Sequence, residues 1–159
     1  MGLNREQVNT GLADCKPPKM RLQNWEANGL RVLDDSYNAN ADSALAALQT
    51  LRDLPTHGRR LAVLGDMAEL GQHSAAAHTE IGRRAAELRI DHLLAVGRWA
   101  PQTAAGARAG GLDSVSECAD VADAAAAVRR IAVPGDLVLL KASRAVGLER
   151  LADLLRVAS

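Results

Sequence analysis

Nineteen residues of this chain are basic, yet only three of them are lysines: Lys16, Lys19 and Lys141. Lys141 closes the apolar run Leu137–Leu140 and is followed by Ala142-Ser143-Arg144. A compact ammonium at the tip of a strand suits a phosphate or a carboxylate, which it meets as a point charge. The plainer reading is a lysine whose stem lies on apolar surface while its head reaches water. Two other apolar runs end in acids. Leu30–Leu33 leads into Asp34-Asp35-Ser36-Tyr37-Asn38-Ala39-Asn40, and Leu61–Gly65 leads into Asp66-Met67-Ala68-Glu69-Leu70-Gly71. A further run, His92–Gly97, delivers Arg98-Trp99. Carboxylates in such positions accept hydrogen bonds from hydroxyls, amines or amides, and an arginine forks an anion with two parallel bonds. Asp34-Asp35 and Asp66 are also ordinary turn chemistry, since Asp, Ser and Asn dominate loops.

These residues matter only if something gathers them. The four runs have the length and Val/Leu content of strands buried on both faces, and a weaker candidate spans Leu112–Ser116. Helical stripes lie between them: Ala44, Ala47, Leu48 and Leu51; Ala77, Ile81, Ala85 and Leu88; Val121, Ala124, Ala125 and Val128; Leu148, Leu151, Ala152 and Leu155. Asp42, Ser74 and Asp120 are placed to start three of these helices. Strand alternating with helix predicts βαβ units, a parallel sheet and right-handed crossovers. The first twenty-nine residues depart from this pattern. Val8 and Leu12 suggest a short helix, Lys16-Pro17-Pro18-Lys19 interrupts it, and Met20–Trp25 reads as a strand that turns through Glu26-Ala27-Asn28-Gly29. The expected fold is therefore α/β and Rossmann-like, a mostly parallel sheet with one antiparallel edge strand and helices on both faces. Ligands of such sheets bind outside the carboxyl ends of the strands, which is where the polar residues fall.

Composition narrows the function. A length of 159 residues suits one main domain, and a hydrophobic content of 48% excludes disorder. Aromatics are 2%, so the core is aliphatic and rich in Ala. Nineteen acids balance the nineteen bases, which argues against a nucleic-acid or anionic-membrane surface. Cys15 and Cys118 read as reduced thiols, and no run approaches a membrane span, so a cytoplasmic location is expected. His57, His73, His78 and His92 have no metal-ligand spacing and read as surface residues. No Ser-His-Asp arrangement, no metal site and no Gly-x-x-x-x-Gly-Lys-Ser/Thr loop is present.

Taken together, Asp34–Asn40, Leu64–Gly71 and Leu140–Val146 resemble three loops of the C-terminal domain of the Mur ligases, in order and spacing, across residues 20–156. The loop with Tyr37 resembles the branch of that family that adds D-Ala-D-Ala to UDP-N-acetylmuramoyl-tripeptide in peptidoglycan synthesis. The resemblance implies an ATP-dependent ligase of three domains, with Mg²⁺ and ATP held mainly by the central one. It implies residues 1–19 as the tail of that central domain and its linker, and residues 20–159 as the C-terminal domain. The chain is then expected to be a piece of a larger enzyme, inactive alone, whose partners are the central and N-terminal domains. Carried over by position, Arg21 would reach ATP phosphates, Asp35 the ribose hydroxyls, and Asn38 and Asn40 the nucleotide or its loop. Lys141 would act in catalysis. Tyr37, Asp66, Ser143 and Arg144 would surround the dipeptide or the acyl phosphate, with either Arg144 or Arg98 forking the dipeptide's carboxylate and Trp99 as a wall. Two positions depart from the family pattern: Ala41 where Pro is usual, and Ala142 where Gly is usual. The extra methyl at 142 is expected where backbone approaches ligand.

Two other readings remain at this stage. A receiver-type domain also carries an acid pair and a strand-end lysine, but its phosphoacceptor should follow the run that here ends in Gly97-Arg98. A non-catalytic nucleotide-binding module is the second, although no Gly-x-Gly-x-x-Gly follows the first parallel run.

Overall fold

The computed structural model describes residues 22–157. Arg21, Cys15 and the expected tail at 1–19 lie outside the described residues, as does the start of the Met20–Trp25 strand. Six strands form one sheet: β1 (Gln23–Ala27), β2 (Leu30–Asp35), β3 (Arg60–Gly65), β4 (His92–Val96), β5 (Val115–Cys118) and β6 (Leu137–Lys141). Five helices join them: α1 (Ala41–Asp53), α2 (Ser74–Glu87), α3 (Ala100–Ala109), α4 (Val121–Ile131) and α5 (Glu149–Arg156). The sheet order is β1-β2-β6-β3-β4-β5, with β1 antiparallel to β2 and every other pair parallel. The expected fold is the observed one.

Alternation along each strand builds two cores. Val32, Leu61, Val63, Leu94, Val138 and Leu140 face α4 and α5. Leu33, Ala62, Leu64, Leu93, Leu137 and Leu139 face α1, α2 and α3. The inner strands β6, β3 and β4 are covered on both faces, which is why their runs are apolar, whereas the edge strand β5 is half-buried and polar. Where α2 crosses α3, Gly82 and Gly106 remove the side chains that would collide with the carbonyl oxygens of Thr103 and Thr79. The β1–β2 hairpin turns on Asn28-Gly29, at φ 53° and 79°, the left-handed pair that a two-residue hairpin requires.

Local details correct the sequence reading in four places. The N-cap of α1 is Asn40, whose side chain accepts from the Ser43 amide at 2.8 Å in a reciprocal capping box, and Asp42 sits in the first turn. Ser74 does not cap α2: a 3₁₀ turn at Gly71–His73 precedes it, and Ser74 is itself helical and buried. Strand β5 begins at Val115, three residues later than expected, because Gly110 and Gly111 prolong the turn after α3. His78 is not a surface residue but is 1% exposed. Asp120 does cap α4, accepting from the Asp123 amide at 2.9 Å.

At the amino ends of the strands, Asp136 ties three segments together. Its carboxylate accepts from the amides of Arg59 and Val133 at 2.9 and 3.0 Å and from the Arg59 guanidinium at 2.7 Å. Burial alone would raise this carboxyl, but the bonds from the Arg59 side chain and from the amides of Val133 and Arg59 outweigh it and hold it below the usual range. A depressed carboxyl contributes its full stability above its unfolded value near ~3.9 and loses it as pH falls through the lower folded value. Asp136→Asn should therefore cost about 1–3 kcal/mol in denaturant titrations at neutral pH. The gap to wild type should shrink as the pH is taken below about 4.

Candidate functional site

Strand β6 is the last to form in the chain but lies between β2 and β3, so its tip is flanked by both acidic loops. The register pairs Asp35 with Lys141 on one side and Leu64 with Lys141 on the other. Asp35, Asp66 and Lys141 thus share one edge of the sheet. Lys141 is 4% exposed, and its Nζ meets Asp35 Oδ2 at 2.7 Å and the Asn38 carbonyl at 2.6 Å. Asp35 Oδ1 accepts from the Leu22 amide at 3.3 Å. Asp34 performs the turn chemistry that the pair suggested: its Oδ1 accepts from the Ser36 hydroxyl at 2.6 Å and amide at 3.2 Å.

Asp66 is held by a different set of partners. Its two oxygens accept from the amides of Arg98 and Trp99 at 3.0 and 2.9 Å, joining the β3 loop to the β4 loop. Gly97 leaves the space for this, since a Cβ there would stand 2.7 Å from the Asp66 carboxylate. Ser143 closes the set. Its amide donates to the Asp66 carbonyl at 2.9 Å, and its hydroxyl accepts from the Ala68 amide at 2.6 Å and donates to the Ala39 carbonyl at 3.4 Å. His78 supports the same loop from below. Its Nε2 accepts from the Met67 amide at 2.9 Å, which leaves the proton on Nδ1 to be donated to the Ser74 carbonyl at 2.6 Å. The ring stacks on Trp99 with centroids 5.6 Å apart.

Two clefts open on this edge. A smaller one, about 360 Å³, is lined by Asp35, Tyr37, Asn38, Asn40 and Lys141 with the start of α1. A larger one, about 650 Å³, lies between the β3 loop, Trp99, the start of α4 and α5. Asp66, Ser143 and Trp99 line the larger cleft. Arg98 and Arg144 line neither; they extend over the Trp99 and Tyr37 rings at 5.2 and 5.9 Å.

Residues 20–144 match the model of the Mur ligase glutamate ligase domain family. The chain belongs to the Mur ligase family. Among Mur ligases, it is 40% identical over 97% of its length to UDP-N-acetylmuramoyl-tripeptide–D-alanyl-D-alanine ligase of Mycobacterium leprae, covering 33% of that protein. The crystal structure of MurF from Acinetobacter baumannii superposes with a TM-score of 0.82 at 30% identity, over 98% of this chain and 34% of that one. MurF from Thermotoga maritima in complex with ADP superposes at 0.76 and 28% identity, over 92% of this chain and 33% of that one. The chain spans about a third of the length of the curated relatives it matches.

Within this Mur ligase domain the structure gathers Asp35, Lys141, Tyr37, Asn38 and Asn40 at one cleft and Asp66 and Ser143 at the other. The methyl of Ala142 does not face a ligand: it is fully buried in the α4/α5 core against Gly65. Asn40 has its Oδ1 engaged in the helix cap. Sequence reasoning missed His78, taken for a surface residue, and Arg150, which lines the larger cleft from α5. Among the described residues, no group of three or more His, Cys, Asp or Glu could hold a metal ion, and no helix is long and apolar enough to cross a membrane.

Removing the acceptor beneath the β3 loop tests its importance. His78→Phe keeps a ring against Trp99 but leaves the Met67 amide buried without an acceptor, at a cost of about 1–3 kcal/mol. His78→Gln, which can still accept, should lose less in the same denaturant titration.

Proposed function

We propose that this domain works as the closing lid of an ATP-dependent ligase that joins D-Ala-D-Ala to UDP-N-acetylmuramoyl-tripeptide, in the cytoplasm and together with central and N-terminal Mur ligase domains. The agreement with a ligase of that name over nearly the whole chain supports it most directly. In the family reaction, as the resemblance implies, ATP activates the peptide carboxylate to an acyl phosphate. The amine then forms its bond to the acyl carbon, gives up a proton, and inorganic phosphate leaves. The amine needs placement more than activation, because holding it at the acyl carbon supplies much of the rate.

Each strand tip then has a task. The smaller cleft offers what the ribose of ATP needs, an acceptor carboxylate at Asp35 with the polar edge of Asn38 beside it. By the resemblance, Arg21 would reach ATP phosphates held by the central domain. Lys141 lines the smaller cleft, its charge held in place by Asp35 until a transferring phosphoryl group approaches. Mg²⁺ would offset phosphate charge when bound, and the family resemblance implies that the central domain would hold it. Asp66 and Ser143 keep the β3 and β4 loops at fixed spacing rather than reaching out to substrate. Closure of the lid completes the site and excludes water.

The deciding assay is phosphate release by an enzyme containing this domain, dependent on ATP, UDP-N-acetylmuramoyl-tripeptide and D-Ala-D-Ala together. In that enzyme Lys141→Ala should lower kcat by at least ~100-fold. It also leaves the Asp35 carboxylate buried without its partner, a loss of about 3–5 kcal/mol in stability. The double variant Asp35→Asn/Lys141→Met removes both charges and should recover the stability while kcat at saturating ATP stays low. Recovery of turnover in the double variant would reduce Lys141 to a structural role.

A further inference from the structure

His78 is a buried, titratable side chain to which the ligase reading gives no task. It is 1% exposed and does not line the larger cleft, yet Met67 and Trp99, the two residues it holds, both do. The β3 loop, Asp66–Gly71, forms one wall of that cleft, and two successive amides of the loop are held by side chains from other elements. The Met67 amide donates to His78 Nε2 on α2, and the Ala68 amide donates to the Ser143 hydroxyl at the tip of β6. Beyond them the loop passes through left-handed backbone at Glu69 and Gly71, with φ 63° and 54°, before it enters the 3₁₀ turn. Its path is therefore set where it begins. A buried amide without an acceptor is costly, so the loop follows the acceptor that α2 supplies.

Trp99 forms a second wall. Its ring lies against the imidazole, with centroids 5.6 Å and planes 20° apart. The imidazole is itself fixed from behind, because Nδ1 donates to the Ser74 carbonyl one turn earlier on the same helix. The Met67 amide can only donate, so Nε2 carries no proton in this arrangement. One side chain, out of reach of any ligand in the cleft, thus touches two of its walls.

We propose that His78 is a positioning residue for the incoming dipeptide: it sets the β3 loop against Trp99, and the bond from the Met67 amide to its bare Nε2 is the operative contact. This rests on the ligase reading above, in which the resemblance makes Trp99 a wall for D-Ala-D-Ala. What it adds is the group that places that wall and the loop beside it.

Two substitutions separate the bond from the ring. His78→Phe keeps a ring on Trp99 and has no acceptor; His78→Gln keeps an acceptor for the Met67 amide and has no ring. In the complete enzyme, His78→Phe should raise KM for D-Ala-D-Ala by about 10-fold. Its kcat, and its KM for ATP and for UDP-N-acetylmuramoyl-tripeptide, should stay within about threefold of wild type. His78→Gln should bring KM for D-Ala-D-Ala back to within about threefold of wild type. Asp136→Asn, which loosens the fold at the far end of the strands, should leave that KM unchanged. A rise of about 10-fold in His78→Gln would overturn the assignment whether or not His78→Phe folds. So would a wild-type KM in His78→Phe, or a rise in Asp136→Asn as large as that in His78→Phe, and the ligase reading would stand in each case. If wild type did not consume D-Ala-D-Ala at all, the ligase reading would fall first and take the assignment with it.

Discussion

An ammonium withdrawn from water must find acceptors, because the effective cost of burying an unpaired charge is several kcal/mol. Lys141 is in that position, and its two acceptors come from one loop: the carboxylate of Asp35 and the carbonyl of Asn38. Satisfying the charge bends the β2 loop over the tip of β6 and sets where α1 can start, at Asn40. Ser143, two residues beyond the lysine, ties the same tip to the β3 loop. The surface presented by the strand ends is therefore built outward from one desolvated cation. A pair this well buried is weak evidence for stability, since apolar residues of like shape often serve a fold as well. Both members of the pair also line the smaller cleft, so the buried charge shapes an opening as well as a fold.

Much of this was legible because parallel strands buried on both faces leave unbroken apolar runs, and Asn28-Gly29 and Asp120 carry local chemistry that needs no tertiary context. Period-2 alternation even contained the answer for Ala142, which follows Val138 and Leu140 onto the α4/α5 face. What could not be read depends on partners distant in sequence. His78 occupies a helical position beside Ile81 and Ala85, and nothing in that stripe tells of the Met67 amide above it. Ser74 has the composition of a cap, but the 3₁₀ turn before it had already begun the helix. Asp66 sits in a loop that suggested substrate binding, and nothing in that loop tells that its carboxylate also occupies the space beside Gly97. Arg150 reads as one more charge on the wet side of an amphipathic helix until α5 is laid beside the β3 loop.

The larger cleft takes its walls from both sides of the sheet. Ser74 and Trp99 belong to the helices packed on one face, and Val121, Arg150 and Leu154 to those on the other. On the first side, α2 and α3 meet at glycines with no side chain between them, so their backbones are in direct contact. The gap between the walls therefore depends on how helix, sheet and helix are stacked, as well as on the loops at the strand tips. A void opened in either aliphatic layer, far from the strand tips, reaches the cleft as a change in jaw width.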